Sequence, residues 1–387
     1  MNKRVLKLLS WFITCSLFVA SMPQSILYAS DVSGCQETYV NEQVAEDITE
    51  LIPEQATLYV ESELDSIMLM VRHWAEALNI DKDKLGEVYV GDPYFICDLD
   101  TSESNEIYFY PIINSGNDQI VCVVSLLGTV DGWTYSVDTE MVELLEDVDY
   151  TENQTIFYES DDCIFADNYE SVESLDHIGN AECENFSEKT FDEKVDVIHE
   201  KMLNVQKVDT DVQVESDLEA YTPGYTKNAK ANVLTLYNPQ SQGTLPICWA
   251  ASVATIVNYI KGKKISAKAV CRREKTGYVG ANIDTKQKAL KDYGVRYSKN
   301  RDYQIGWTTI KSNIDAKKPI AVSSFTSDGK RAHAVTAYAY VTAGTTKYVA
   351  IWNSGSNSVQ TFKYQKSGSC YSYNNATFFW KATLSAK

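Results

Sequence analysis

Basic residues are scarce in the first half of this 387-residue chain. From Asp31 to Ala220 there are 7 Lys and Arg against 47 Asp and Glu, a net of −40, whereas Tyr221 to Lys387 holds 25 basic and 6 acidic residues, a net of +19. The overall pI of about 4.7 therefore hides two oppositely charged halves. The basic half has no Arg-rich stripe, which argues against nucleic acid as a partner. Histidine is rare too: the chain has four, and only His333 falls in the basic half. No Cys-x-x-Cys or His-x-x-x-His pair occurs, so neither a metal nor another cofactor is expected. Beyond the first thirty residues no apolar run is long enough to span a bilayer, so no stable membrane association is expected. There is no internal repeat or low-complexity tract.

The amino terminus has the three parts of an export leader. Lys3, Arg4 and Lys7 precede the apolar run Leu8 to Ala20, and no further charge appears until Asp31. Residues 1–30 are read as a signal peptide, with an uncleaved membrane anchor as the alternative, so the mature protein is expected to be secreted, free or at the cell surface. Cys15 leaves with the leader, so eight cysteines meet an oxidising exterior. Five precede residue 220 and three follow it. Both groups are odd, so at least one thiol in each stays unpaired unless the groups cross-link. Cys271 and Cys370 are expected as one disulfide or two buried thiols.

The acidic half carries the patterns of a folded α+β domain. "QATLYVESELDSIMLMVRHWAEALNI" has helical apolar spacing to about Ile80, and "EIYFYPIINSGNDQIVCVVSLLGTVDGWTYSV" reads as three strands with a Ser-Gly-Asn-Asp turn. "DTEMVELLEDV" reads as a capped acidic helix. Apolar periodicity then fades while the charge changes sign, which sets a boundary near residue 215. The expected organisation is a leader (1–30), an acidic pro-domain (31–215) and a basic domain (216–387). Opposite charge favours docking of one half on the other.

In the basic half, "CWAASVATIVNYI" predicts a largely buried helix starting at Cys248. Two more helices are expected, over "IDTKQKALKDYG" and "GWTTIKSNIDAKK". The strands "IAVSSF", "HAVTAYAYV", "KYVAIWNS", "VQTFKY" and "ATFFWKATL" follow, an α+β order. A thiol at a helix start faces unpaired backbone N–H groups and the positive end of the helix dipole, both of which favour thiolate. Nucleophilic use also requires a base and a group to orient it. His333 opens a strand, and Asn353 ends the next one. Asp328 is the other candidate to hold the imidazole. Gln242, six residues before Cys248, could offer its amide to a tetrahedral oxyanion.

These residues carry a resemblance. "QGTLPICWAAS", "HAV" and "WNS" resemble the papain-like cysteine peptidases in residue order and in the glutamine-to-cysteine spacing, most of all secreted bacterial members such as the staphopains and streptopain. The resemblance implies Cys248 as nucleophile, His333 as general acid/base, Asn353 as its orienting partner and Gln242 as an oxyanion donor. It implies a papain-like domain with helices first and an antiparallel sheet second, acting on protein or peptide substrates and inhibited by its own pro-domain until processed. Other secreted readings stay open: a cell-wall amidase or endopeptidase, and a non-catalytic adhesin or pseudo-peptidase. The chain departs from the family at Leu245-Pro246-Ile247, where Cys-Gly-Ser is usual, and at Gly355-Ser356, which replaces the tryptophan after Asn-Ser. Trp352 or Trp380 is expected to shield the histidine instead. His333 follows Cys248 by 85 residues, against about 130 in the papain spacing, which implies a trimmed fold.

Overall fold

Pro53, extended at φ −60°, starts helix α1 (Glu54–Trp74), whose residues Ala56, Val60, Ile67, Val71 and Trp74 recur at helical spacing and are all buried. The computed structural model describes residues 52–98, 107–148, 155–175 and 229–386, apart from short gaps within these stretches. These residues lie in one compact unit, Gln43–Lys387. The leader and the boundary near 215 lie outside the described residues.

Strands β1 (Val88–Val90) and β2 (Ile96–Asp98) follow. Then comes the expected meander: β3 (Ile107–Asn114), β4 (Ile120–Thr129) and β5 (Gly132–Asp138). Its first turn accommodates Asp118 at φ +55°, a conformation that Asp adopts more readily than most residues. From Ile120 to Leu127 every residue of β4 is buried, so both faces of this strand are covered. The acidic helix α2 (Glu140–Asp147) forms as read, and β6 (Ile156–Ser160), β7 (Cys163–Asp167) and β8 (Val172–Leu175) complete the half. β2, β6, β7 and β8 make a separate small sheet in which β2 and β6 are parallel.

The basic half opens with β9 (Lys230–Val233), then helix α3 (Cys248–Lys261), buried on all sides from Trp249 to Asn258 and ended by Gly262 in the left-handed region. Helix α4 (Ala267–Glu274) is not among the helices expected from the sequence; the Ser266 side chain caps it by accepting the Ala269 N–H. Helix α5 (Ile283–Asp292), strand β10 (Ser298–Asn300) and helix α6 (Trp307–Asp315) lead to β11 (Ile320–Phe325), β12 (Ala332–Ala343), β13 (Thr346–Asn353) and β14 (Ser358–Lys363). A last hairpin, β15 (Cys370–Tyr373) and β16 (Ala376–Ser385), closes the chain.

One large sheet runs through both halves in the order β1-β3-β4-β5-β14-β13-β12-β11-β16-β10. The junction is ordinary antiparallel pairing: Asp138 lies opposite Gln360, Val137 opposite Thr361 and Ser136 opposite Phe362. Helix α1 packs on β1, β4 and β5 of its own half and on β12 of the other, so one apolar cluster contains Trp74, Tyr135, Val335 and Tyr348 together. Several polar groups at this junction are paired, although Gln360 Oε1 and Trp74 Nε1 are buried without a partner. The Tyr135 and Tyr348 hydroxyls lie 2.5 Å apart, and Glu63 accepts from Tyr135 at 2.9 Å and from Lys363 at 2.7 Å. Glu63–Lys363 is the one ion pair between the halves among the described residues. No described helix is long and apolar enough to cross a membrane.

A core shared in this way predicts one cooperative thermal transition for the chain, not one per half. Trp74→Ala should remove about 3–5 kcal/mol of unfolding free energy in a denaturant titration and lower both halves together. Two separate transitions, or loss confined to one half, would show that the sheet junction does not couple them.

Candidate active site

The start of α3 leaves backbone donors available. Its N-cap, Ile247, lacks a capping side chain, and the Ile247 carbonyl takes the N–H groups of Ala250 and Ala251 at 2.9 and 3.1 Å. The N–H groups of Cys248 and Trp249 remain, and these, together with the Ala334 N–H of β12, act to lower the Cys248 thiol pKa. The loop before the helix is tied down. Gln240 N–H donates to Thr255 Oγ1 at 2.9 Å, and Asn258 Nδ2 donates to the carbonyls of Asn238 and Ile265 at 3.0 Å each.

His333 is the second residue of β12, and Asn353 is the last of β13. The register that sets Thr336 opposite Trp352 brings those strand ends together. His333 Nε2–H donates to Asn353 Oδ1 at 2.7 Å, which leaves Nδ1 as the unprotonated ring nitrogen when the imidazole is neutral. Oδ1 also accepts the Gly355 N–H at 3.0 Å, so the amide of Asn353 is held from two sides. Both residues are buried. Asp328 does not reach the imidazole: it accepts from Thr326 Oγ1 and the Lys330 N–H in its own exposed turn.

Gln242 is anchored beside the end of β13. Its N–H donates to the Ser354 carbonyl at 3.0 Å, and its Oε1 accepts the Ser354 hydroxyl at 3.2 Å. The amide NH2 is thereby turned away from Ser354.

Neither tryptophan shields the histidine. Trp352 donates its indole N–H to the Gln240 carbonyl and Trp380 donates to Thr383 Oγ1, which fixes both rings elsewhere. Tyr373 from β15 lies on the imidazole instead, its ring centroid 4.5 Å away and nearly parallel, and Phe378 meets the ring edge-on at 5.8 Å. Gly355 makes this stack possible, because a Cβ there would come within 2.0 Å of the Tyr373 hydroxyl. The aromatic comes from a hairpin some twenty residues later in the chain, and the β15 strand was not legible in "GSCYSYNN".

Burial dominates the electrostatics. It pulls the His333 pKa down to about 4, opposed by the Asn353 hydrogen bond and reinforced by the positive charges of Lys286 and Arg331. Burial also raises the Cys248 thiol, against the lowering effects of Lys286 and the three amides. Of the described thiols that stand free (Cys97, Cys122, Cys248, Cys271 and Cys370), Cys248 alone is partly exposed. Cys271 and Cys370 are therefore two buried thiols, not a disulfide. No group of three metal-ligating side chains occurs among the described residues.

A partly exposed cysteine at an uncapped helix start, followed by a strand-borne histidine bonded to asparagine, is the arrangement of a papain-like cysteine peptidase. Residues 227–367 match the model of the family described as papain-like cysteine protease AvrRpt2, and the chain is a cysteine-type peptidase. The match covers the region from just before β9 to just before β15 and omits the acidic half. No curated protein matches the chain.

Gly355→Ala should force the Tyr373 ring off His333, since backbone and ring have no slack at 2.0 Å. Displacing a catalytic group by an ångström costs up to about 10²-fold, so kcat on a peptide substrate should fall by at least about tenfold. Unchanged kcat in the folded variant would show that the stack has no part in placing the imidazole.

Proposed function

We propose that this protein is a secreted cysteine endopeptidase, synthesised as an inactive precursor, that works through Cys248, His333 and Asn353. The observation that carries the reading is the buried 2.7 Å bond from His333 to Asn353 at the ends of two paired strands, with Cys248 partly exposed at the start of α3. Cys248 attacks the carbonyl of a bound peptide, and the carbonyl oxygen becomes an oxyanion held by the Cys248 N–H and the Gln242 amide. His333 takes the Cys248 thiol proton at Nδ1 as the sulfur attacks and delivers it to the leaving amine. It then takes one from the water that cleaves the thioester, while Asn353 keeps the ring in one orientation.

The precursor state is supported by how the acidic half meets this site. Its strand β5 pairs with β14, directly after the strand that ends in Asn353. Its residues Ile96, Phe109, Asp138, Met141 and Ile164 line a small cavity whose other wall includes Asn353 and Tyr373. His333 is 4% exposed and held neutral. Cutting within residues 176–228 would separate the halves covalently but leave the sheet junction to be undone. That junction is mainly apolar and main-chain, so salt alone should loosen it little.

Substituting Cys248→Ala should abolish casein hydrolysis by the processed protein with no change in melting temperature, because a small apolar side chain suits the start of a buried helix. Activity on purified peptidoglycan but not on casein would make the protein a cell-wall enzyme. Residual casein hydrolysis by the variant would remove Cys248 from the mechanism.

Acid should favour opening. A histidine whose pKa is about 4 in the closed form and near 6.5 once hydrated takes up a proton on opening anywhere between those values. The closed form is thus fully favoured above pH 6.5 and loses that advantage as pH falls towards 4. Conversion of precursor to processed enzyme, followed by gel, should be faster at pH 5 than at pH 7.5. Equal rates would mean that His333 stays buried through the rate-limiting step.

A further inference from the structure

Lys286 occupies a core position. Helix α5 turns Ala289 and Leu290 into the apolar cluster around α3, and Lys286, three and four residues earlier, lies on the same buried stripe with 4% exposure. A buried ammonium is costly unless an anion accompanies it. Among the described residues no carboxylate pairs with it, and its hydrogen bond goes to the Ser323 hydroxyl.

Ser323 shows where the charge is aimed. In the β11–β12 ladder it lies opposite Ala334, whose N–H acts to lower the Cys248 thiol pKa, and the next pair is Ser324 with His333. The ammonium is thus held at the Ser323–Ala334 pair, next to the Ser324–His333 pair, and its charge and that of Cys248 influence each other. The other titratable and charged groups facing this place are His333 on β12, Arg331 just before it, and Tyr371 and Tyr373 on β15. At neutral pH none of these is an anion. A thiolate formed on Cys248 is the negative charge left for Lys286 to balance.

We infer that Lys286 is the buried counter-charge of the Cys248 thiolate, a positioning residue that acts through the sulfur and does not touch substrate. The inference rests on Cys248 being the nucleophile. Burial lowers Lys286 to about 8 and the Cys248 charge opposes that shift, so the ammonium persists at neutral pH. The same cation also lowers the His333 pKa, which leaves the imidazole unprotonated until the thiol gives up its proton.

The test is the rate of Cys248 alkylation by iodoacetamide across pH 5–9 in the full chain, followed by peptide mapping. In Lys286→Met, which has similar length and no charge, the midpoint of the rate profile should rise by about one pH unit, and alkylation below the midpoint should slow about tenfold. The variant should melt no lower than the parent, since a buried charge has been exchanged for an apolar group. A purely packing role predicts the opposite pair, a lower melting temperature and an unmoved profile, and would overturn the inference. Lys286→Gln serves for the same profile should the methionine variant not fold, with the same upward shift required. If Cys248 of the parent chain alkylates no faster than Cys271, the nucleophile reading fails and takes this one with it.

Discussion

The hydrogen bond between His333 and Asn353 constrains more of this molecule than any other single contact. It needs two strand ends in register, a carbonyl oxygen held from a second side by Gly355, and a dry environment. Each requirement fixes something else. Dryness is supplied by Tyr373 and Phe378, which brings the last hairpin of the chain over the imidazole, and the Tyr373 ring in turn requires glycine at 355. The same strand brings Ala334, the residue after His333, close enough to the start of α3 for its N–H to lower the Cys248 thiol pKa. The acidic half then extends the same sheet from β14.

The opposite charges of the two halves suggest an electrostatic clasp, and magnitudes decide against that as the main bond. An exposed ion pair contributes about 0–1 kcal/mol, and the described junction has one pair, Glu63–Lys363, itself half-buried. Burying apolar surface contributes roughly 25 cal/mol per Å², and α1 alone brings Val60, Ile67, Met70, Val71 and Trp74 into the shared core. Continuous sheet pairing adds direction. The charge asymmetry is better assigned to long-range attraction during assembly, with apolar burial and the β5–β14 ladder holding the final state.

Much of this was readable beforehand where local pattern dictates structure. The run from Cys248 to Ile260 has no polar face, so it had to be a buried helix, and the alternating segments from Ile320 onward had to be strands. The candidate residues were legible as an ordered set, because chemistry restricts their types, and the structure joins His333 to Asn353 and sets Cys248 at a helix start. What escaped notice depends on partners distant in sequence. Tyr373 has meaning only once β15 folds over β12, and the short strands β1, β2 and β9 form only because longer neighbours offer them an edge. Lys286 did leave a local sign. It stands where Ala289 and Leu290 predict another apolar residue, and a lysine on a core stripe asks for an anion.

The account stands or falls on whether a covalent intermediate forms on Cys248. Processed protein mixed with a slowly hydrolysed peptide ester, quenched in acid and mapped by mass spectrometry, should carry the acyl group as a thioester on the peptide that begins the Cys248 helix, and Asn353→Ala should accumulate less of it. An acyl group on any other residue, or full turnover with no acylated species at any quench time, would contradict it.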